Sequence, residues 1–211
     1  LRNPDMQCIL HIWSKPDHQL TEIETDTDWI LGPSGSDLFR VNTEFLRSHG
    51  VPTPELFFLD DTKTVCEYDF ALVEYIEGGN FTDHNQQCGA GSTQLILDRI
   101  NEMLMILHAM TAPSPGLLTQ RRPSESRCER LVWNHVRPTL ELACEFNESI
   151  RSHRGQILVT LQSLLDAIEP RSVFSLIHGE LGPEHILVSP ESEPYFIDCE
   201  GVRYFDLEFE H

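Results

Sequence analysis

The stretch from Val173 to Asp198 constrains this chain most, because its three short apolar runs are bracketed by polar residues that a core tolerates only for a reason. Val173 to Ile177, Ile186-Leu187-Val188 and Tyr195-Phe196-Ile197 each have strand composition, and Ser189 to Pro194 supplies turn chemistry between the last two. That pair predicts a β-hairpin. His178-Gly179-Glu180 precedes the hairpin, His185 opens it and Asp198 closes it. All of these except Gly179 can donate or accept a proton, or bind a metal ion.

The remainder divides into two parts. Met6 to Trp13 is apolar and rich in strand formers, and Ser14-Lys15-Pro16-Asp17 ends it. The acidic Thr21 to Asp28 stretch reads as a loop. Leu38, Val41, Phe45 and Leu46 have helical spacing, and His49-Gly50 with Pro52 beyond is how a glycine-capped helix stops. Glu55 to Leu59 and Phe70 to Val73 read as strands flanking an Asp60-Asp61-Thr62-Lys63 turn, and Glu77-Gly78-Gly79-Asn80 breaks the run. After the breaker, Leu95 to Met110, Leu131 to Phe146 and Gln156 to Ile168 carry helical periodicity. The link from Thr111 to Cys128 shows none. The chain therefore predicts an α+β fold with a small β-rich lobe and a larger, mainly helical one.

Composition excludes several function classes. Acidic side chains outnumber Lys and Arg by 34 to 15, a net charge of −19, so the field repels DNA, RNA and anionic lipid. Nucleic acid and membrane are not expected partners; cationic small molecules and divalent ions are compatible with that field. Cys8, Cys66, Cys88, Cys128, Cys144 and Cys199 form no C-x-x-C pair and lack disulfide-scaffold density, so a reduced, cytoplasmic protein is the simplest expectation. Asn80-Phe81-Thr82 and Asn147-Glu148-Ser149 fit the glycosylation triplet, but no secretory signal accompanies them.

The spacing His178-x-Glu180-x-x-x-x-His185, a hairpin, then Asp198 is similar to the layout of a kinase catalytic loop. Phosphoryl transfer needs a carboxylate to accept the proton of the attacking hydroxyl and separate ligands for Mg²⁺, and one loop plus one hairpin supplies both at fixed distance. His178-Gly179-Glu180-Leu181-Gly182-Pro183-Glu184-His185-Ile186-Leu187-Val188 and Phe196-Ile197-Asp198-Cys199-Glu200-Gly201 resemble the H-G-D-x-x-x-x-N and I-D-[WF]-E motifs of the aminoglycoside phosphotransferase and choline kinase superfamily. Leu46 to Pro54 is similar to its L-x-x-x-G-V-P-x-P link, Phe70 to Gly78 to its strand and hinge, Ile106 to Met110 to its L-x-x-L-H helix end, and Asp206-Leu207 to its D-L-A.

The resemblance implies a protein-kinase-like bilobal fold, with residues 1–76 as a nucleotide-binding lobe and 77–211 as the helical lobe carrying the catalytic loop. Glu180 would be the catalytic base and His178 would brace the loop. His185 and Asp198 would hold Mg²⁺, with Mn²⁺ as the alternative. Glu74, Tyr75 and Ile76 would contact the base of ATP or GTP, and His11 would meet the phosphates. The implied activity is transfer to a hydroxyl of a small molecule, and the charge is compatible with a cationic acceptor. The family's opening strands and nucleotide-covering loop, and the helices after D-L-A, are expected to lie outside this stretch, which reads as a trimmed or degenerate domain.

Three positions depart from the pattern. Glu180 stands for Asp, which moves the carboxylate by about an ångström, a displacement that can cost ~10²-fold in rate. His185 stands for Asn, and imidazole suits Mn²⁺, Fe²⁺ or Zn²⁺ better than Mg²⁺. His11 stands for Lys and is only partly cationic at neutral pH. The helix glutamate that would pair with that Lys falls near Phe39, with Glu44 the nearest acid. These changes raise an alternative, a catalytically inactive kinase-fold binding module. A third reading, a hydrolase with Zn²⁺ on His178, His185 and Asp198, requires His178 to face the metal.

Overall fold

The computed structural model describes residues 7–14, 35–87, 90–122 and 126–210. The acidic Thr21 to Asp28 stretch and Cys88 lie outside them. Cys8–Trp13 (β1), Leu56–Asp60 (β2) and Asp69–Glu74 (β3) form an antiparallel sheet in the order β1-β3-β2. Ser36–Ser48 (α1) packs beside it and buries Leu38, Phe39, Asn42, Thr43 and Leu46, residues that share one helical face. The helix ends as its sequence indicates. Gly50 takes φ 82°, and the Val51 and Gly50 amides donate to the Leu46 and Arg47 carbonyls at 3.0 and 3.1 Å. In the turn after β2, Asp60 accepts from the Thr62 amide at 2.9 Å, an Asx turn.

β3 leads through Tyr75 to Gly78 into the short strand Gly79–Asn80 (β4), which joins the predicted hairpin. The hairpin is Ile186–Val188 (β8) paired with Pro194–Phe196 (β9), and the sheet order is β4-β8-β9. Phe81–Gln87 (α2) and Ala90–Ala109 (α3) follow β4. On α3 the buried stripe is Ile96, Ile100, Met103 and Leu107; Leu97 and Met105, expected inside from spacing alone, face solvent. The helices Cys128–Phe146 (α4) and Glu148–Ala167 (α5) pair with one another. Asn147 of the supposed glycosylation triplet is the N-cap of α5, its side chain accepting from the Ile150 amide at 3.1 Å.

A second sheet in the helical lobe went unpredicted. Thr111–Ala112 (β5), Gly116–Leu117 (β6), Phe174–Ile177 (β7) and Arg203–Phe205 (β10) pair in the order β5-β7-β10-β6. Two- and three-residue strands carry too little alternation to read, and β5 and β6 lie in the link that showed no periodicity. One apolar core runs through α3, β7, the hairpin and β10, with Leu46 and Val51 reaching in from the α1 side. Phe174, Leu176, Ile177, Ile186, Val188 and Phe196 are buried, so the polar residues between these strands sit at fixed positions on a packed floor. Among the described residues no helix is long and apolar enough to cross a membrane.

Gly78 closes the hinge at φ 129°, and a Cβ there would stand 2.1 Å from the Val188 carbonyl oxygen. Gly78→Ala is expected to cost at least about 1–3 kcal/mol and to loosen the β4–β8 pairing. Urea denaturation and amide exchange at Asn80 and Val188 measure both.

Candidate active site

The hairpin and the β1-β3 sheet face each other across a cleft of about 600 Å³. Ile9, Val73, Ile76, Leu187 and Phe196 give it an apolar lining, and His11, Glu74, Tyr75, His185 and Asp198 add polar groups. The predicted hinge residues Glu74, Tyr75 and Ile76 thus line the cleft together with His11, His185 and Asp198. Glu180 is solvent-accessible and does not line the cleft, its side chain beside Gly201 and within reach of the Asp198, His185 and Arg203 charges, and His178 is fully buried beneath the floor.

Asp198 owes its orientation to an unusual backbone. It adopts φ 59°, ψ 48°, the left-handed region that Asp tolerates better than most residues, where the chain leaves β9 for the single turn Cys199–Gly201. The reversal carries Asp198 to the cleft and turns Cys199 and Glu200 inward, where both are buried. His185 ends the single turn Pro183–His185. Its Nδ1 donates to the Glu180 carbonyl at 2.6 Å, and its Nε2 stands 3.4 Å from Asp198 Oδ2. The Ile197 amide donates to the His185 carbonyl at 3.0 Å, so both residues belong to one rigid corner.

His178 lies beneath the floor, bonded to the backbone beside Asp198. Its Nε2 donates to the Ile197 carbonyl at 3.0 Å, tying the loop to the residue before Asp198. Its ring lies nearly parallel to that of His185 with centroids 6.4 Å apart. With that bond made, its ring does not face the cleft, and among the described residues no three of His, Cys, Asp and Glu cluster to hold a metal ion. The zinc hydrolase geometry is absent among them. His185 with Asp198 is the pair that fits a divalent cation, and two protein ligands suffice only where substrate phosphates complete the shell.

Burial raises the Glu180 carboxyl above its ordinary range; the Asp198 charge adds to this, and Arg203 and His185 oppose it. That direction suits a general base. Glu200 is pushed up to about 7, foremost by burial and also by the Asp198 carboxylate, while the Trp13 indole, donating at 3.2 Å, opposes. Burial holds His11 below the ordinary histidine value against the pull of Asp198. His11 stacks on Trp13 with centroids 4.2 Å apart and meets Phe39 edge-on at 5.4 Å. Where the resemblance places an ion pair, this chain has an aromatic cluster; Glu44, the glutamate of α1, is exposed.

Two supporting residues were missed. Glu210 is buried and accepts the His178 and Gly179 amides on its two oxygens at 2.8 Å each. His108 Nε2 lies 3.8 Å from it. Asn42 on α1 is fully buried and donates to the Cys199 and Glu200 carbonyls at 2.8 and 3.1 Å. Neither follows a local sequence rule, because each acts on backbone groups far along the chain.

Asn42→Ala is expected to destabilise the fold by about 1–3 kcal/mol, because two inward-facing carbonyls lose their donor. Chemical denaturation measures it. Burial, opposed by the Glu210 charge, keeps His178 neutral below its ordinary value of 6.5, so its contribution is lost as pH falls through that value. Glu210 is held below its ordinary 4.5 by His108 and by the two amides, against burial, and its contribution is lost as pH falls lower still. The stability difference between the protein and His178→Asn is therefore expected to shrink as pH falls below about 6.5, which thermal denaturation of both at several pH values measures.

The sequence profile of the Phosphotransferase enzyme family (APH) matches residues 39–210. No curated protein matches the chain. Among solved structures, a thermostable mutant of aminoglycoside phosphotransferase APH(4)-Ia in its apo form superposes with a TM-score of 0.57 at 13% identity. The match covers 80% of this chain and 58% of that one, so this chain spans little more than half the length of that structure. At that identity the likeness carries the fold, a small sheet lobe joined to a helical lobe; the family profile, which spans most of the sequence, carries the assignment. By that match, with the Glu180, His185 and Asp198 corner inside the matched residues, the chain belongs to the phosphotransferase enzyme family.

Proposed function

We propose that this chain transfers the terminal phosphoryl group of ATP, or GTP, to a hydroxyl of a small molecule. One observation carries the reading: His185 and Asp198 meet at one corner of a cleft whose opposite wall is the β1-β3 sheet and its hinge, and the Glu180 carboxyl lies within electrostatic reach of both. The apolar lining of Ile9, Val73, Ile76 and Leu187 suits the faces of a purine, and the hinge backbone at Glu74 to Ile76 its edge. Asp198 with His185 holds a divalent ion, which when bound neutralises phosphate charge. Glu180 orients the acceptor hydroxyl and takes its proton, a role its raised pKa favours. The acidic surroundings, net charge −19, favour a cationic acceptor such as an amino alcohol or aminoglycoside.

A second reading, a nucleotide-binding module without turnover, has its own support in His11. Stacked on Trp13, packed against Phe39 and partly desolvated, it is a weaker phosphate clamp than a lysine.

Phosphoryl transfer from ATP to a panel of hydroxylated acceptors, cationic ones first, tests the two. Activity is expected with a divalent ion and should fall by about 10²–10⁴-fold in Glu180→Ala, with a comparable loss in Asp198→Ala. Nucleotide binding without transfer to any acceptor selects the binding module.

A further inference from the structure

Resting on the phosphoryl-transfer reading above, we propose that a first-row transition ion, Mn²⁺ or Co²⁺ in preference to Mg²⁺, carries the nucleotide's phosphates in this cleft. The ion sits between His185 Nε2 and Asp198, and the phosphate oxygens complete its shell. Neither the nucleotide nor the ion binds well alone.

The tautomer of His185 supplies the first argument. A carbonyl oxygen only accepts, so the 2.6 Å contact with Glu180 fixes a proton on Nδ1. In the neutral ring Nε2 then presents its lone pair toward Asp198 Oδ2, 3.4 Å away. Two acceptor atoms at that distance leave a gap that a cation can bridge. Ligand atoms each about 2.0–2.2 Å from one ion stand about 3–3.5 Å apart, so the observed gap accommodates a shared ion without rearrangement.

The donor set supplies the second. One imidazole nitrogen with carboxylate and phosphate oxygens is a mixed set, and affinity for such sites rises from Mn²⁺ toward Co²⁺. Mg²⁺ demands near-ideal octahedral oxygen ligation and keeps its waters, so His185 works against it.

The third is the charge around the phosphates. Among the described residues lining the cleft there is no Lys or Arg; Glu74 and Asp198 line it, Glu200 is buried beside Asp198, and the Glu180 carboxyl lies within electrostatic reach of Asp198. The histidine at the phosphate position is engaged with Trp13 and Phe39. The work of neutralising the phosphates therefore falls to the ion. Two protein ligands do not retain an ion by themselves, which makes cation and nucleotide mutually dependent.

Titration of the purified chain with a fluorescent ADP analogue, in EDTA, Mg²⁺, Mn²⁺ or Co²⁺, measures this dependence. No binding is expected in EDTA, with affinity in Mn²⁺ or Co²⁺ exceeding that in Mg²⁺ by about tenfold or more. Pulsed electron paramagnetic resonance of the Mn²⁺–ADP complex is expected to show nitrogen modulation from the imidazole. His185→Asn and His185→Gln should both abolish that modulation and bring the Mn²⁺ and Mg²⁺ affinities together. Equal affinities without nitrogen modulation, binding in EDTA, or a preference unchanged in both variants would overturn the proposal while leaving the nucleotide reading intact. Tight Mn²⁺ binding without nucleotide would overturn the mutual dependence. Absence of nucleotide binding with every ion would instead overturn the phosphoryl-transfer reading itself.

Discussion

A buried imidazole holds the floor of the cleft together. The ring of His178 donates to the Ile197 carbonyl, and its own backbone amide is taken, with that of Gly179, by the buried carboxylate of Glu210. Three segments distant in sequence meet there: the loop that carries Glu180, the hairpin exit that carries Asp198, and the end of the described chain. Bonds among buried polar groups are costly to leave unmade, so the geometry is specified rather than merely permitted. His185 inherits its position from this junction, since it bonds to Glu180 on one side and to Ile197 on the other.

The sheet lobe is fixed to that floor by a few polar contacts of high leverage. Asn42 reaches from α1 to the carbonyls beside Asp198, and Trp13 reaches from β1 to Glu200. Phe196 donates its amide to Pro52, tying the link after α1 to the hairpin. The cleft width is thus set by short bonds from α1, β1 and the link to one turn. Rigid support of this kind lets side-chain chemistry be placed to within an ångström, which phosphoryl transfer requires.

Electrostatically the site is dominated by carboxylates. The Asp198 charge raises the proton affinity of both Glu180 and Glu200, and Arg203, a buried cation under the loop, offsets part of that effect at Glu180. Aromatic packing among His11, Trp13 and Phe39 stands where a lysine and glutamate pair would otherwise bridge sheet and helix. The bridge is kept, with apolar and π contacts in place of an ion pair.

Much of this was legible from residue order. The hairpin followed from two apolar runs around turn residues, α1 from its periodicity and Gly50, and the chemistry-bearing residues from the polar positions that bracket the hairpin. Those signals are local: hydrophobic periodicity, turn chemistry and motif spacing act over fewer than about twenty residues. The brace role of His178 came only from the resemblance to a kinase catalytic loop, not from any local signal of its own. What stayed hidden depends on distant partners. Asn42, Glu200 and Glu210 looked like ordinary polar residues and became specific only when backbone groups from elsewhere were folded against them. β5, β6 and β10 are too short to carry a period, and only long-range pairing makes them strands, β5 and β10 on β7 and β6 on β10. The sequence determined which residues can do chemistry and the order in which they come. The tertiary structure alone decided which face the cleft, which are buried as supports, and which carboxylates lie close enough to share a proton or a cation, because burial and through-space distance have no local signature.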